Sequence, residues 1–170
     1  MFDNIKEDLN TYNGNWTCQG FWVMLVYRFG RWRYTISIPA IRKFFSLTYK
    51  IMFRFIQIIT GVELPCEVEI GKNFRIDHFG DIIISGFASF GKNCVIRNGV
   101  TIGLRRSHEP VAPRIGNNVD IGAGAKLLGN ITIGNNVIIG ANAVVLSDVP
   151  DNSIAVGIPA KTISKGRSGV

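Results

Sequence analysis

Between Gly20 and Gly61 the chain has no acidic residue, while seven basic ones fall there: Arg28, Arg31, Arg33, Arg42, Lys43, Lys50 and Arg54. The formal net charge of +7 is therefore concentrated in that segment, because the twelve basic residues elsewhere meet twelve acidic ones. These charges interrupt every apolar run, which excludes a bilayer-spanning reading of the segment. Cysteine is scarce as well. Cys18, Cys66 and Cys94 are odd in number and widely spaced, which excludes a disulfide framework and a zinc motif. The opening FDNIKEDLN is acidic and polar, so no signal peptide is expected and a reducing cytoplasm follows. A phosphate-cradling G-x-x-x-x-G-K stretch is absent, and no nucleic-acid partner is expected. Histidine occurs only twice, as His78 and His108.

What is present is a period of six. An aliphatic or aromatic residue recurs at Leu64, Ile70, Ile76 and Ile82, then, after two extra residues, at Phe90, Ile96 and Ile102. After a longer insertion it resumes at Ile115, Ile121, Leu127, Ile133, Ile139 and Val145. Glycine often follows, and a second small or apolar residue recurs four positions on, Cys94 among them. A fixed period of this length marks a hexapeptide β-helix. Each hexad is a short strand plus a turn, three hexads close a triangular coil, and Gly and Asn supply the positive-φ corners. A sandwich of short strands would need alternation with variable turns, not thirteen hexads in one frame. The expected fold is thus mostly β, a left-handed parallel β-helix with a short N-terminal α-helical region. Residues 1–61 form that region, 62–150 the β-helix with an extruded loop at 103–114, and 151–170 a C-terminal tail.

In the first region, helices are expected over 3–10, 20–34 and 39–60, with Pro39 at a helix start and Gly61 at a stop. Their basic, aromatic character has two readings. One is a cap that packs on its own β-helix and on neighbouring subunits; the other adds contact with an anionic membrane surface on the cytoplasmic face. In the β-helix the irregularities stand out. Residues 103–114 (GLRRSHEPVAPR) leave the coil, and loops on rigid scaffolds often carry function. The hexad Ile76–Asp81 (IDHFGD) puts His78 where a small or polar residue is expected.

From Gly61 to Ile163 the chain resembles the serine acetyltransferase-like branch of the hexapeptide acyltransferases. The resemblance is carried by GVELPCEVEIGKNFRIDHFG, VTIGLRR, IGAGAKLLGNITIGNNVIIGANAVVLSDVP and AVGIPAKTI, with MFDNIKEDL and YRFGRW before them. Within that branch it looks closer to the colanic-acid and capsular O-acetyltransferases. True serine acetyltransferases carry an Arg-His pair just before the P-x-I-G step, where this chain has Val111-Ala112.

The resemblance implies that His78 is a general base oriented by Glu63, with Asp77 beside it at the acceptor. Chemistry agrees, since an alcohol is a poor nucleophile at neutral pH and an imidazole can take its proton as it attacks a thioester. A carboxylate on the far ring nitrogen would fix the tautomer. His108, in the loop, either replaces the missing acceptor-site histidine or is an ordinary exposed side chain. Arg105 and Arg106 meet an anionic acceptor or the nucleotide, or are simply solvated. The donor implied is acetyl-CoA, with no metal, its pantetheine arm lying between two subunits of a homotrimer. Gly122, Ala123 and Ala141 would flank the arm, Gly103 would supply an oxyanion donor, and Lys161 would meet CoA phosphates; each glycine and alanine also has a purely structural reading as a coil corner. The resulting expectation is an O-acetyltransferase acting on a sugar hydroxyl of a cell-envelope polysaccharide or its lipid-linked precursor. Serine O-acetyltransferase is the enzyme alternative, and a non-catalytic β-helix scaffold the other.

Overall fold

Short strands with a corner every six residues can bury their aliphatic side chains only by stacking coil on coil, and a computed structural model of the chain has that form. It describes residues 2–106 and 108–164. Three parallel sheets make the faces of a triangular prism. The first face stacks Val62–Glu63, Ile82–Ile84, Thr101–Gly103, Lys126–Leu128 and Val144–Val145. The second stacks Glu69–Ile70, Ser89–Phe90, Arg114–Ile115 and Thr132–Ile133. The third stacks Arg75–Asp77, Val95–Arg97, Asp120–Ile121 and Ile138–Ile139. Register aligns the hexad residues into internal columns, such as Ile84, Ile102, Leu127 and Val145 on the first face. All four are at most 1% exposed.

The corners are stacked as well. Asn73, Asn93, Asn118, Asn136 and Asn152 all have positive φ. Their side-chain amides form a ladder, each Nδ2 donating to the next Oδ1 at 2.8–3.1 Å. Asparagine thus serves twice, tolerating the left-handed corner and tying one coil to the next. Gly122 is required for a different reason. A Cβ there would lie 2.5 Å from the Ala141 backbone nitrogen on the next coil.

Two boundaries differ from the sequence reading. The two-residue insertion is not between Ile82 and Phe90. Ile82 pairs with Val62, and Ile84, opposite Ile102, holds the hexad position. The extra residues therefore lie in the corner 78–81. Ile82 and Ile84 alternate along one strand and both point inward, at 0% and 1% exposure, so the frame could be counted through either. Strands also hold both ends of the expected 103–114 loop, and Ala112 and Pro113 are buried. The excursion is 104–111. Beyond residue 150, Ser153–Gly157 continues the third face and Ala160–Ser164 folds back on it antiparallel.

Of the N-terminal helices α1 (Phe2–Thr11), α2 (Gln19–Trp32) and α3 (Pro39–Thr60), α2 and α3 pack against the first coils and α1 packs on α2. Gly61 ends α3 with φ 64° and its N–H bonded to the Gln57 carbonyl at 2.8 Å. The Tyr27 hydroxyl donates to the Val68 carbonyl at 2.8 Å, and the Tyr49 hydroxyl accepts the Cys66 N–H at 3.0 Å. Two of the seven cations are structural. Arg28 grips Asp8 with both Nε and Nη2, at 2.8 and 3.0 Å. Arg33 is buried over the Tyr34 and Tyr49 rings and donates to Gly30, Ser46 and Cys66.

A column shared by every coil makes a stability prediction. Leu127→Ala should cost about 2–5 kcal/mol, read as a lower denaturant midpoint, because neighbours on both sides lose contacts. An unchanged midpoint would contradict the stacking.

Candidate functional site

The widened corner that follows Arg75–Asp77 is built by the helical region as much as by the coil. The Tyr12 hydroxyl, at the end of α1, accepts the Ile76 N–H at 3.0 Å. Gly20, opening α2, lets that contact form, since a Cβ there would lie 2.4 Å from Tyr12 Oη and 2.7 Å from the Ile76 carbonyl oxygen. Burial pushes the Tyr12 phenol up to about 12, so it stays a neutral hydroxyl through the physiological range. On the other side of Ile76, Arg75 Nε donates to Asp77 Oδ1 at 2.5 Å. The strand is thus pinned immediately before His78.

His78 then turns into the left-handed region with φ 61°, followed by Gly80 at 105° and Asp81 at 54°. Three positive-φ residues in four form an unusual corner, and strain of this kind clusters at functional sites. The turn leaves His78 exposed beside an open cleft of about 340 Å³. Tyr12, Asn13, Asn15, Gln19, Arg75 and Asp77 line the cleft with polar groups. Glu63 lies across the corner. It is paired with Ile83, and it opens with Gln57, Gly61 and Asp81 on a second groove of about 370 Å³. Among the described residues no hydrogen bond joins Glu63 to His78.

The other predicted residues divide between corners. Along the edge that holds His78, the Gly99 N–H donates to Gly80, Gly124 to Asn98 and Asn142 to Ala123, each at 2.8–2.9 Å. Ala123 and Ala141 therefore lie two and three coils below the His78 corner, about 10 and 14 Å away at one strand spacing per coil. Short side chains leave the backbone of this edge open to a narrow, extended molecule. Gly122 directly precedes Ala123 on this edge, and coil stacking alone already requires a glycine there. Gly103 is at the opposite end of the first face, beside Ser85, where a Cβ would meet only the Ser85 Cβ, at 3.6 Å.

The loop leaves from that opposite corner. In it Arg106 pairs with Glu109 at 3.2 Å, and His108 Nε2 is 3.6 Å from the same carboxylate, with its side chain 74% exposed. Arg105 lies beside Gly129. Val111 and Ala112 line a groove with Glu67, Glu69, Phe87 and Arg114, and the Ala112 side chain points into the core. Lys161 is exposed on the terminal hairpin, opposite Val156. One protomer thus brings together His78, Asp77, Ala123 and Ala141 along one edge, with Glu63 beside it. It does not bring Gly103, Arg105, Arg106 or His108 to that edge. Sequence reasoning missed Tyr12 and Gly20, whose only signal is a contact across more than fifty residues.

Comparison with known proteins agrees with this architecture. The profile of the bacterial transferase hexapeptide (six repeats) family matches residues 112–147. Serine acetyltransferase of Synechococcus elongatus is 40% identical over 152 residues, covering 89% of this chain and 59% of that enzyme. The chain thus spans well under two thirds of the length of that relative. The putative colanic acid biosynthesis acetyltransferase WcaB of Escherichia coli K12 is 34% identical over 160 residues, covering 91% of this chain and 96% of WcaB. Among solved structures, serine acetyltransferase in complex with coenzyme A from Brucella abortus superposes with a TM-score of 0.82 at 25% identity, over 96% of this chain and 67% of that one. With about nine tenths of its length matched to these relatives, the chain belongs to the hexapeptide-repeat transferases, the family of the serine acetyltransferases and WcaB.

Proposed function

We propose that the chain is an acetyl-CoA-dependent O-acetyltransferase that passes acetyl directly to a sugar hydroxyl of a cell-envelope polysaccharide or its lipid-linked precursor. The observation that carries the catalytic part is the widened corner. It presents an exposed histidine, on a strand end held by Tyr12 and by the Arg75–Asp77 pair, at the head of an edge of small residues that suits the pantetheine arm. His78 accepts the acceptor hydroxyl proton as that oxygen attacks the thioester carbonyl. The tetrahedral intermediate then collapses, the C–S bond breaks, and the imidazolium returns the proton to the departing CoA sulfur. Glu63 turns toward the ring when substrates bind and steadies the imidazolium.

A homotrimer completes the site. The loop and Gly103 lie at a different corner from His78, so a neighbouring subunit is the means by which Gly103 offers an oxyanion donor and Arg105, Arg106 or His108 reach the acceptor. Lys161 is left to meet the CoA phosphates. Acetyl-CoA as the donor supports a cytoplasmic reaction.

The acceptor has two supported readings. Identity favours L-serine, at 40% for the Synechococcus serine acetyltransferase against 34% for WcaB. The glycan reading rests on Val111-Ala112, which replace the Arg-His pair with two side chains that have no polar atom, and on the match to WcaB over nearly its whole length.

The test of direct acetyl transfer is CoA-thiol release with purified protein, acetyl-CoA and an oligosaccharide panel. Acetylated acceptor with no acetyl-enzyme by mass spectrometry is expected; a covalent acetyl-enzyme, or no turnover with any alcohol, would overturn the proposal. Glu63→Gln should lower kcat by about tenfold or more, because tautomer control is lost, while leaving acetyl-CoA affinity unchanged. An unchanged kcat would make Glu63 an ordinary exposed strand residue.

A further inference from the structure

The helix α3 is apolar on two opposite sides. Tyr49, Ile56 and Thr60 are buried against the coil. On the far side Phe44, Leu47, Ile51, Phe55 and Ile58 follow at intervals of three and four and make one continuous stripe. They are 60–84% exposed. A stripe of large side chains this open marks an interaction surface, not scattered surface apolar residues. Lys43, Lys50 and Arg54, seven and four residues apart, form a parallel row along one border and are exposed. No acidic residue occurs between Gly20 and Gly61 to balance them. Packing this face antiparallel on the same face of a second copy would set the two basic rows together without a counter-charge.

We propose that the exposed face of α3 docks on an anionic lipid bilayer, lying in the plane of the headgroups. The apolar stripe enters the acyl boundary, and Lys43, Lys50 and Arg54 meet the lipid phosphates. No helix of the described residues is long and apolar enough to cross a membrane, which suits a helix that lies on the surface. The remaining border of the stripe carries Ile41, Thr48 and Ile59 and no cation, so the helix would sit rolled toward its basic side. The proposal stands on surface geometry and is independent of the acceptor.

The test is co-sedimentation of the full chain with phosphatidylcholine vesicles, with and without phosphatidylglycerol. Partition should be at least about tenfold higher on the anionic vesicles. Raising salt from about 0.1 M to about 1 M should remove most of that difference, as the screening length falls from about 10 Å to about 3 Å. Lys43→Gln, Lys50→Gln and Arg54→Gln together should lose the anionic preference. Phe44→Ser, Ile51→Ser and Phe55→Ser together should lower binding to both vesicle types at unchanged helicity. Absence of partition, or full binding by the glutamine variant, would overturn the proposal. A serine variant whose assembly shrinks in solution, with no vesicle binding by the wild type, would assign the face to a second copy of the chain.

Discussion

His78→Ala is expected to lower kcat by at least about 10²-fold while the assembly and the acetyl-CoA affinity are kept, since a general base acts only in the chemical step. The structure makes this a clean substitution. His78 is exposed, so its removal empties no core space. The corner is held from outside the ring, by Tyr12 on the Ile76 N–H and by Arg75 on Asp77. The one complication is the backbone, because alanine at φ 61° is less at ease than histidine. His78→Asn removes it. Asparagine already occupies the left-handed corners at Asn73, Asn93, Asn118, Asn136 and Asn152. It would keep the turn while providing no base. Both variants should lose kcat alike, with folding and acetyl-CoA binding intact. Near-wild-type turnover in His78→Asn would remove His78 from the chemistry whatever alanine does.

The fold was legible because every coil repeats the same demand. An inward aliphatic column, a corner that accepts positive φ and a close glycine recur so often that the frame from Leu64 to Val145 is over-determined. The helix limits were equally plain, since Pro39 and Gly61 mark both ends of α3. What was hidden is local. Ile82 and Ile84 both point inward, so hydrophobicity does not say which holds the hexad position, nor whether the insertion lies in the His78 corner or after it. The terminal hairpin keeps no hexad frame and read as a tail. At the site, His78 stands out by breaking the hexad pattern, whereas Asp77 follows only from the family resemblance. Tyr12 shows in neither way, because its role is a single hydrogen bond to a strand 64 residues away. Nor does spacing along the chain show that Gly103 and the loop belong to another corner; that follows only once the three faces are traced.

The acceptor carries the second large effect. Serine is a small zwitterion, and selecting it requires fixed partners for its ammonium and its carboxylate. Val111 and Ala112 provide neither, and Ala112 is turned into the core, 4% exposed. A site that must hold a substrate carboxylate without a partner forfeits several kcal/mol, a factor of about a thousand or more in specificity. A sugar hydroxyl makes no such demand; in the cleft at His78 the charges of Arg75 and Asp77 meet each other, and the amides of Asn13, Asn15 and Gln19 beside them suit a polyol. Against this stands the higher identity to serine acetyltransferases. The measurement that decides is CoA release by the purified chain with L-serine and with envelope oligosaccharides or lipid-linked sugars, compared as kcat/KM. A glycan should be acetylated, with serine at least about a hundredfold poorer. Efficient serine turnover with no activity on any glycan would contradict the account.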